Sequence, residues 1–143
     1  TDIKEWRSAA RFDLVLCNPP YFGNHLASAN TARQLARQGH DNLLIWAQCA
    51  AKHLSATGSF YWVLPVAISQ QLDHEMAAQG WFLADCLEIH TTVRKPVKLV
   101  VQGWQRLPVQ QCEHERLTIH EGGGYSAAYR QLTGEFYLAG GVD

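Results

Sequence analysis

Short apolar runs, each stopped by proline or glycine, alternate with helically spaced apolar residues through the first hundred positions of the chain. Phe12-Asp13-Leu14-Val15-Leu16-Cys17 is apolar and partly β-branched, and Asn18-Pro19-Pro20 ends it, which predicts a buried strand. Small and polar residues, among them Gly23, Asn24 and Ser28, predict a loop over residues 22–30. From about Thr31 the pattern turns helical. Leu43, Ala47, Ala50 and Leu54 keep one face, Gly58 follows the stop, and Asp41 or Asn42 is placed to cap the helix. Ser59–Leu64 predicts a second buried strand ended by Pro65, and Ile68, Leu72 and Met76 mark an amphipathic helix closing at Gly80. Leu83–His90 and Val97–Trp104 predict two further strands, joined by a link, Thr91–Pro96, short enough for antiparallel pairing. A short strand over Arg116–His120, a glycine triplet and a short helix from about Ser126 to Leu132 follow.

The order strand–helix–strand–helix–strand–strand is that of an α/β sheet with an antiparallel end. Such open sheets bind ligands beyond the carboxyl ends of their strands, so the loop after the first strand is where chemistry is expected. Composition narrows the class. With 143 residues, 47% of them apolar and 17% charged, the chain is long enough for one ordinary domain with a real core. No apolar run is long enough to cross a bilayer, and Thr1–Trp6 lacks the features of a signal peptide, so a cytoplasmic location with no membrane partner is expected. Cys17, Cys49, Cys86 and Cys112 are far apart with no C-x-x-C pair, which predicts reduced thiols and no metal centre. A formal net charge of −1 means that any polynucleotide must be held by a local basic patch or by a segment outside these residues.

Asn18-Pro19-Pro20-Tyr21 carries the clearest chemistry. Two prolines fix two φ angles, remove two backbone donors and keep the residue before them out of helical geometry. The stiff loop that results can present the Asn18 side-chain oxygen and the Pro19 carbonyl as two fixed acceptors, beside the flat face of Tyr21. An exocyclic amine on adenine is a poor nucleophile because its lone pair is delocalised into the ring. Acceptors on both N–H groups favour the geometry in which that lone pair points outward, so positioning and electrostatics do most of the catalysis. The base must leave its stack to reach such a pocket.

FDLVLCNPPYF resembles motif IV of Rossmann-like methyltransferases that act on amino nitrogens. With the Arg33-Gln34-Leu35-Ala36-Arg37 segment, the SFYWVLP strand and the closing YSAAYRQLTGEFYL, nearly the whole chain is similar to the bacterial tRNA1(Val) adenine-37 N6-methyltransferases. The N-P-P-Y motif is specific for amino-group methylation but not for the substrate. The resemblance implies the C-terminal part of a class I methyltransferase sheet, mixed with an antiparallel end and with helices on both faces. It implies S-adenosylmethionine as cofactor and tRNA as partner. Asn18, Pro19 and Pro20 would form the amine-holding loop, Tyr21 would stack on the adenine and Phe22 would wall the pocket. Asp2 and Asn18 would face the cofactor, and Arg33 and Arg37 would contact phosphate.

These enzymes carry a glycine-rich cofactor loop upstream of motif IV, and nothing like it lies between Thr1 and Phe12, so the main cofactor-binding strands and loop are expected to be absent from residues 1–143. The motif IV strand then has a bare edge, and the isolated chain is expected to associate with another copy through it, rearrange, or be unstable. Three other readings share these residues: methylation of a glutamine amide in a release factor, methylation of DNA or rRNA, and a non-catalytic module for binding or assembly.

Other groupings carry less. Glu121-Gly122-Gly123-Gly124-Tyr125 stands between a strand and a helix but is not G-x-G-x-x-G, and reads as a flexible connector. Cys112, His114 and His120 match no familiar metal spacing. Arg94, Lys95 and Lys98 surround a strand connection and read as a solvated face, and the tryptophans other than Trp6 read as core.

Overall fold

The computed structural model describes residues 2–19 and 29–136, with the backbone alone over residues 29–40. In chain order the elements are β1 (Phe12–Cys17), α1 (Ala29–His53), β2 (Leu54–Pro65), α2 (Val66–Ala78), β3 (Phe82–His90), β4 (Leu99–Gln105), β5 (Glu113–Thr118), β6 (His120–Glu121), β7 (Gly124–Tyr125) and α3 (Ala127–Thr133). Five strands form one sheet in the order β1-β2-β4-β3-β5, and β6 and β7 make a separate hairpin. β1 and β2 pair parallel, β4 lies antiparallel between β2 and β3, and β5 is parallel to β3. The carboxyl ends of β1, β2, β3 and β5 therefore meet along one margin of the sheet.

Period-two burial along β2 explains the core. Phe60, Trp62 and Leu64 are buried while Tyr61 and Val63 between them are only half-buried. Leu43, Leu44, Ala47 and Ala50 of α1 and Leu72 and Met76 of α2 close over that same face in one cluster. Both long helices thus cover the Phe60–Trp62–Leu64 face, and α3 packs against β5. Near the centre, Trp62 Nε1 donates to Gln102 Oε1 at 3.0 Å, and Gln102 Nε2 donates to Asp73 Oδ1 at 2.8 Å, tying the sheet to α2. Gly80, with φ of 83°, ends α2 in the left-handed conformation expected of it. Arg106 then donates to the Gln79 carbonyl at 2.8 Å and lies over the Trp81 ring.

The structure moves three boundaries. α1 is continuous from Ala29 to His53, so Asp41 and Asn42 are exposed positions within the helix rather than its cap. β2 begins at Leu54, immediately after α1, because Leu54 pairs with Phe12 before the register shifts to Leu14↔Ser59. Gly58 consequently lies inside β2, where a Cβ would meet the Phe12 carbonyl oxygen at 2.9 Å, and does not follow a helix stop. The glycine triplet is no flexible connector. Gly122 and Gly123, with φ of 61° and 85°, form the two-residue turn of the β6–β7 hairpin, a left-handed pair that glycine adopts without strain.

On the face opposite the core, Gly103 lies between Tyr61 of β2 and Asp85 of β3, its registered partners on either side. The absent side chain lets the Tyr61 ring cross the sheet so that its hydroxyl donates to Asp85 Oδ2. A Cβ at Gly103 would overlap the Tyr61 ring and sit 3.0 Å from Asp85 Oδ2. Gly103→Ala is expected to expel the ring, break this bond and destabilise the fold by roughly 1–3 kcal/mol in urea unfolding. Unchanged stability would show that the ring has room to move.

The hydrogen bond to Asp85, reinforced by burial and the Asp85 charge, pushes the Tyr61 phenol up to about 12 from its ordinary 10. A phenol raised in this way keeps its proton in the folded chain after the unfolded chain has lost it. Stability is therefore retained below pH 10 and falls as the pH rises from 10 towards 12. Tyr61→Phe is expected to flatten that decline in denaturant titrations over the same window. An equally steep decline in the variant would assign it to other groups.

Candidate active site at the carboxyl end of β1

β1 is the outer strand of the sheet, and its Val15 and Cys17 side chains pack against the core. The alternate residues Leu14 and Leu16 are 54% and 72% exposed, so the strand presents an apolar, unpaired edge among the described residues. Asn18 follows at the carboxyl end of β1 and is exposed, while Pro19 is buried. A rigid strand thus ends in an anchored proline with a polar amide standing free of the core beside it. Cys17, directly before Asn18, is raised to about 11 by burial, so it stays a protonated thiol at neutral pH and offers no nucleophile. The expected site residues Pro20, Tyr21 and Phe22 lie outside the described residues, as do the side chains of Arg33 and Arg37 on α1.

The N-terminal segment closes one side of the region. Asp2 is exposed and starts a turn: its Oδ1 accepts from the Lys4 N–H at 3.0 Å, and its carbonyl accepts from Glu5 and Trp6. Trp6 packs at a tilt against the His53 ring, with centroids 4.4 Å apart and planes at 51°. His53, buried at the end of α1, faces the Cys49 carbonyl at 2.8 Å through Nδ1 and accepts from the Ser8 N–H at 3.3 Å through Nε2. That clamp holds Ser8 and Trp6 against the end of α1, and Trp6 also stacks on Phe12 at the start of β1. A cavity of about 260 Å³ results, walled by Ile3, Trp6, Leu16, Cys17 and Trp46. It adjoins a wider open hollow lined by Asp2, Ile3, Trp6 and Trp46.

The structure therefore brings Asp2 to a hollow whose neighbouring cavity reaches Cys17, the residue before Asn18. Trp46, read from the sequence as core, is half-buried and walls this hollow instead. The clamp by His53 was invisible in the sequence, because Ser8 lies 45 positions from His53 and the two share no motif. Among the described residues, no three His, Cys, Asp or Glu side chains gather as metal ligands, and no helix is long and apolar enough to cross a membrane.

This mixed sheet, with a site loop at the carboxyl end of its outer strand, has the fold of a class I S-adenosylmethionine-dependent methyltransferase. It superposes on PvuII DNA methyltransferase (cytosine-N4-specific) with a TM-score of 0.55 at 14% identity, over 92% of this chain and 59% of that one. A Listeria monocytogenes protein assigned to the class I S-adenosylmethionine-dependent methyltransferases gives 0.52 at 11% identity, over 93% and 43%. Three sequence relatives are more particular and share one name, tRNA1(Val) (adenine(37)-N6)-methyltransferase. That of Vibrio vulnificus strain YJ016 is 33% identical over 141 residues, 96% of this chain and 57% of the relative. Those of Actinobacillus pleuropneumoniae serotype 7 and Klebsiella pneumoniae strain 342 are 30% and 32% identical over the same share of the chain. The chain spans somewhat under three-fifths of the length of these curated relatives, 57–58%. No protein-family model matches the sequence.

Proposed function

We propose that the whole protein transfers a methyl group from S-adenosylmethionine to the exocyclic N6 of an adenine in tRNA, in the cytoplasm. The observation that carries this reading is Asn18, exposed beside buried Pro19 at the carboxyl end of β1 in a class I methyltransferase fold. The relatives' shared name supplies the substrate class.

The described residues fit one end of the cofactor. Ile3, Trp6 and Trp46 give the hollow an apolar and aromatic floor, and Asp2 on its rim is an acceptor for an amine. A purine ring carrying an exocyclic amine matches that set. When bound, the cofactor supplies an electrophilic methyl group. Asn18 then accepts one N–H of the target adenine through its side-chain oxygen, and the Pro19 carbonyl accepts the other. The two bonds favour a pyramidal nitrogen whose lone pair is withdrawn from the ring π-system, and they hold the amine in line. Tyr21 stacks on the flipped base, Phe22 walls the pocket, and Arg33 and Arg37 take phosphates on the strand that carries it.

Labelled S-adenosylmethionine offered with tRNA, a release factor and DNA separates this reading from its rivals. Label in tRNA supports it. Label in the release factor or the DNA alone replaces it, and label in none supports a binding module.

The bare β1 edge carries a related expectation for the 143-residue chain. With Leu14 and Leu16 exposed beside unpaired backbone groups, the chain is expected to self-associate at micromolar concentration. Leu16→Lys is expected to shift it to monomer in sedimentation velocity. A wild-type chain that is already a stable monomer would contradict this.

A further inference from the structure

Four strand-to-strand steps separate the two ends of one margin of the sheet. β1 and β5 lie at opposite edges of the sheet, four strand spacings and about 19 Å apart, with their carboxyl ends on the same side. The site loop leaves β1 at one end of that margin. The β6–β7 hairpin and α3 follow β5 at the other.

At that far end three rings form a column. His120 and Tyr125, cross-strand partners in the hairpin, are stacked with centroids 5.1 Å apart and planes 21° from parallel. Tyr125 continues onto Tyr129 of α3 at 5.0 Å and 28°. His120 ends the column and is exposed. The column is held firmly to the sheet. The His120 N–H donates to the Thr91 carbonyl at 2.9 Å, the Ile119 N–H donates to the His90 carbonyl at 2.8 Å, and the Ser126 N–H donates to the Ile119 carbonyl at 2.8 Å.

Basic residues are carried on the neighbouring segments. Thr91, which accepts from His120, opens the link that carries Arg94, Lys95 and Lys98, all exposed. The Lys95 carbonyl faces the buried His90 ring, which sets the link against the carboxyl end of β3. Arg130 of α3 lies over the hairpin turn, its guanidinium 3.3 Å from where a Gly124 Cβ would stand. The acids on the described hairpin, the link and the carboxyl half of β3 are Glu121, exposed, and Glu88, which already faces His90 at 3.2 Å and Arg116 at 3.7 Å. The local balance is positive on a chain whose formal net charge is −1.

Resting on the RNA reading above, we propose that the His120–Tyr125–Tyr129 column with Arg94, Lys95 and Arg130 is a platform for single-stranded RNA flanking the base held at Asn18. A ring column with an exposed end accepts one more flat ring, and an unpaired base supplies it. Exposed cations beside it take the phosphates that follow. A continuous duplex keeps its bases stacked on one another and has no ring to offer, so a loop or end is the preferred form.

Fluorescence anisotropy with a labelled RNA hairpin, compared with a loop-free RNA duplex, tests this on the whole protein. His120→Ala is expected to weaken hairpin binding about tenfold, and His120→Phe to restore it, since stacking needs only a flat ring. Arg94→Ala with Lys95→Ala is expected to lower the salt slope of log K by about one to two. Hairpin affinity unchanged in His120→Ala, a duplex bound as tightly as the hairpin, or no hairpin binding at low salt would each overturn the platform. Methyl incorporation into the same hairpin, measured in parallel, keeps the two claims apart. Incorporation with His120-independent binding sinks the platform alone, whereas His120-dependent binding without incorporation sinks the methylation reading and leaves the platform standing.

Discussion

Asn18→Ala is expected to lower the rate of methyl transfer to tRNA about 10²–10³-fold while leaving the fold intact. Asn18 is exposed, so its truncation removes no core contact, and Pro19, which is buried, still anchors the turn. On the proposed mechanism, what is lost is one of two acceptors for the adenine amine. Without it the nitrogen lone pair returns to the ring and the amine is no longer held in line. Because an oriented acceptor acts where charge develops, the loss falls on the single-turnover rate more than on tRNA affinity. A variant that retained the wild-type rate within about threefold, by the same electrostatic reasoning, would remove Asn18 from the site. The Asn18→Ala unfolding midpoint, expected to match the wild type, guards against a trivial loss of structure.

Trp62→Ala is expected to cost about 3–5 kcal/mol of stability, the largest of any single truncation considered. Trp62 is 1% exposed at the middle of β2, edge-on to Phe60 with centroids 5.2 Å apart. Removing it opens a cavity beneath α1 and α2 and leaves the Gln102 oxygen without its indole donor. Since Gln102 also reaches Asp73, the loss spreads from sheet to helix. A domain of this size has about 5–15 kcal/mol in total, so a loss of about 3–5 kcal/mol removes between roughly a fifth and all of its stability. Trp62→Phe separates the two parts. It keeps most of the apolar volume, orphans the same oxygen and is expected to cost about 1–3 kcal/mol. Equal losses in both variants would mean that the hydrogen bond, not the packing, dominates.

Much of this architecture was legible because strong local punctuation coincides with real boundaries. Phe12–Cys17 stops at Asn18-Pro19-Pro20 since proline cannot extend the strand, and Pro65 and Gly80 close β2 and α2 for equally local reasons. The antiparallel β3–β4 pair followed from the short link between them. Where local signals compete with packing, the sequence misleads. Asp41 and Asn42 look like caps, yet the buried run Leu43, Leu44, Ala47 and Ala50 holds a helix that passes straight through them. Gly58 looks like a helix stop, yet pairing of Leu54 with Phe12 draws the start of β2 back past it.

The site divides in the same way. On the proposed reading, Asn18 and Pro19 are the part written locally, as a polar residue set before prolines that stiffen the chain. The hollow beside them is not. Asp2, Ile3 and Trp6 share a hollow with Trp46 because buried His53 accepts from Ser8 and packs against Trp6. No period or spacing encodes a contact made across that much chain. The aromatic column was hidden for a related reason, since His120 and Tyr125 become neighbours only once Gly122 and Gly123 form a hairpin turn.

The most direct measurement is nucleoside analysis by mass spectrometry of tRNA1(Val) methylated by the whole protein. An acceptor pair built for an exocyclic amine predicts a single product, N6-methyladenosine, that disappears with Asn18→Ala. Methylation on a ring nitrogen or carbon, or N6-methyladenosine formed equally well without Asn18, would contradict it.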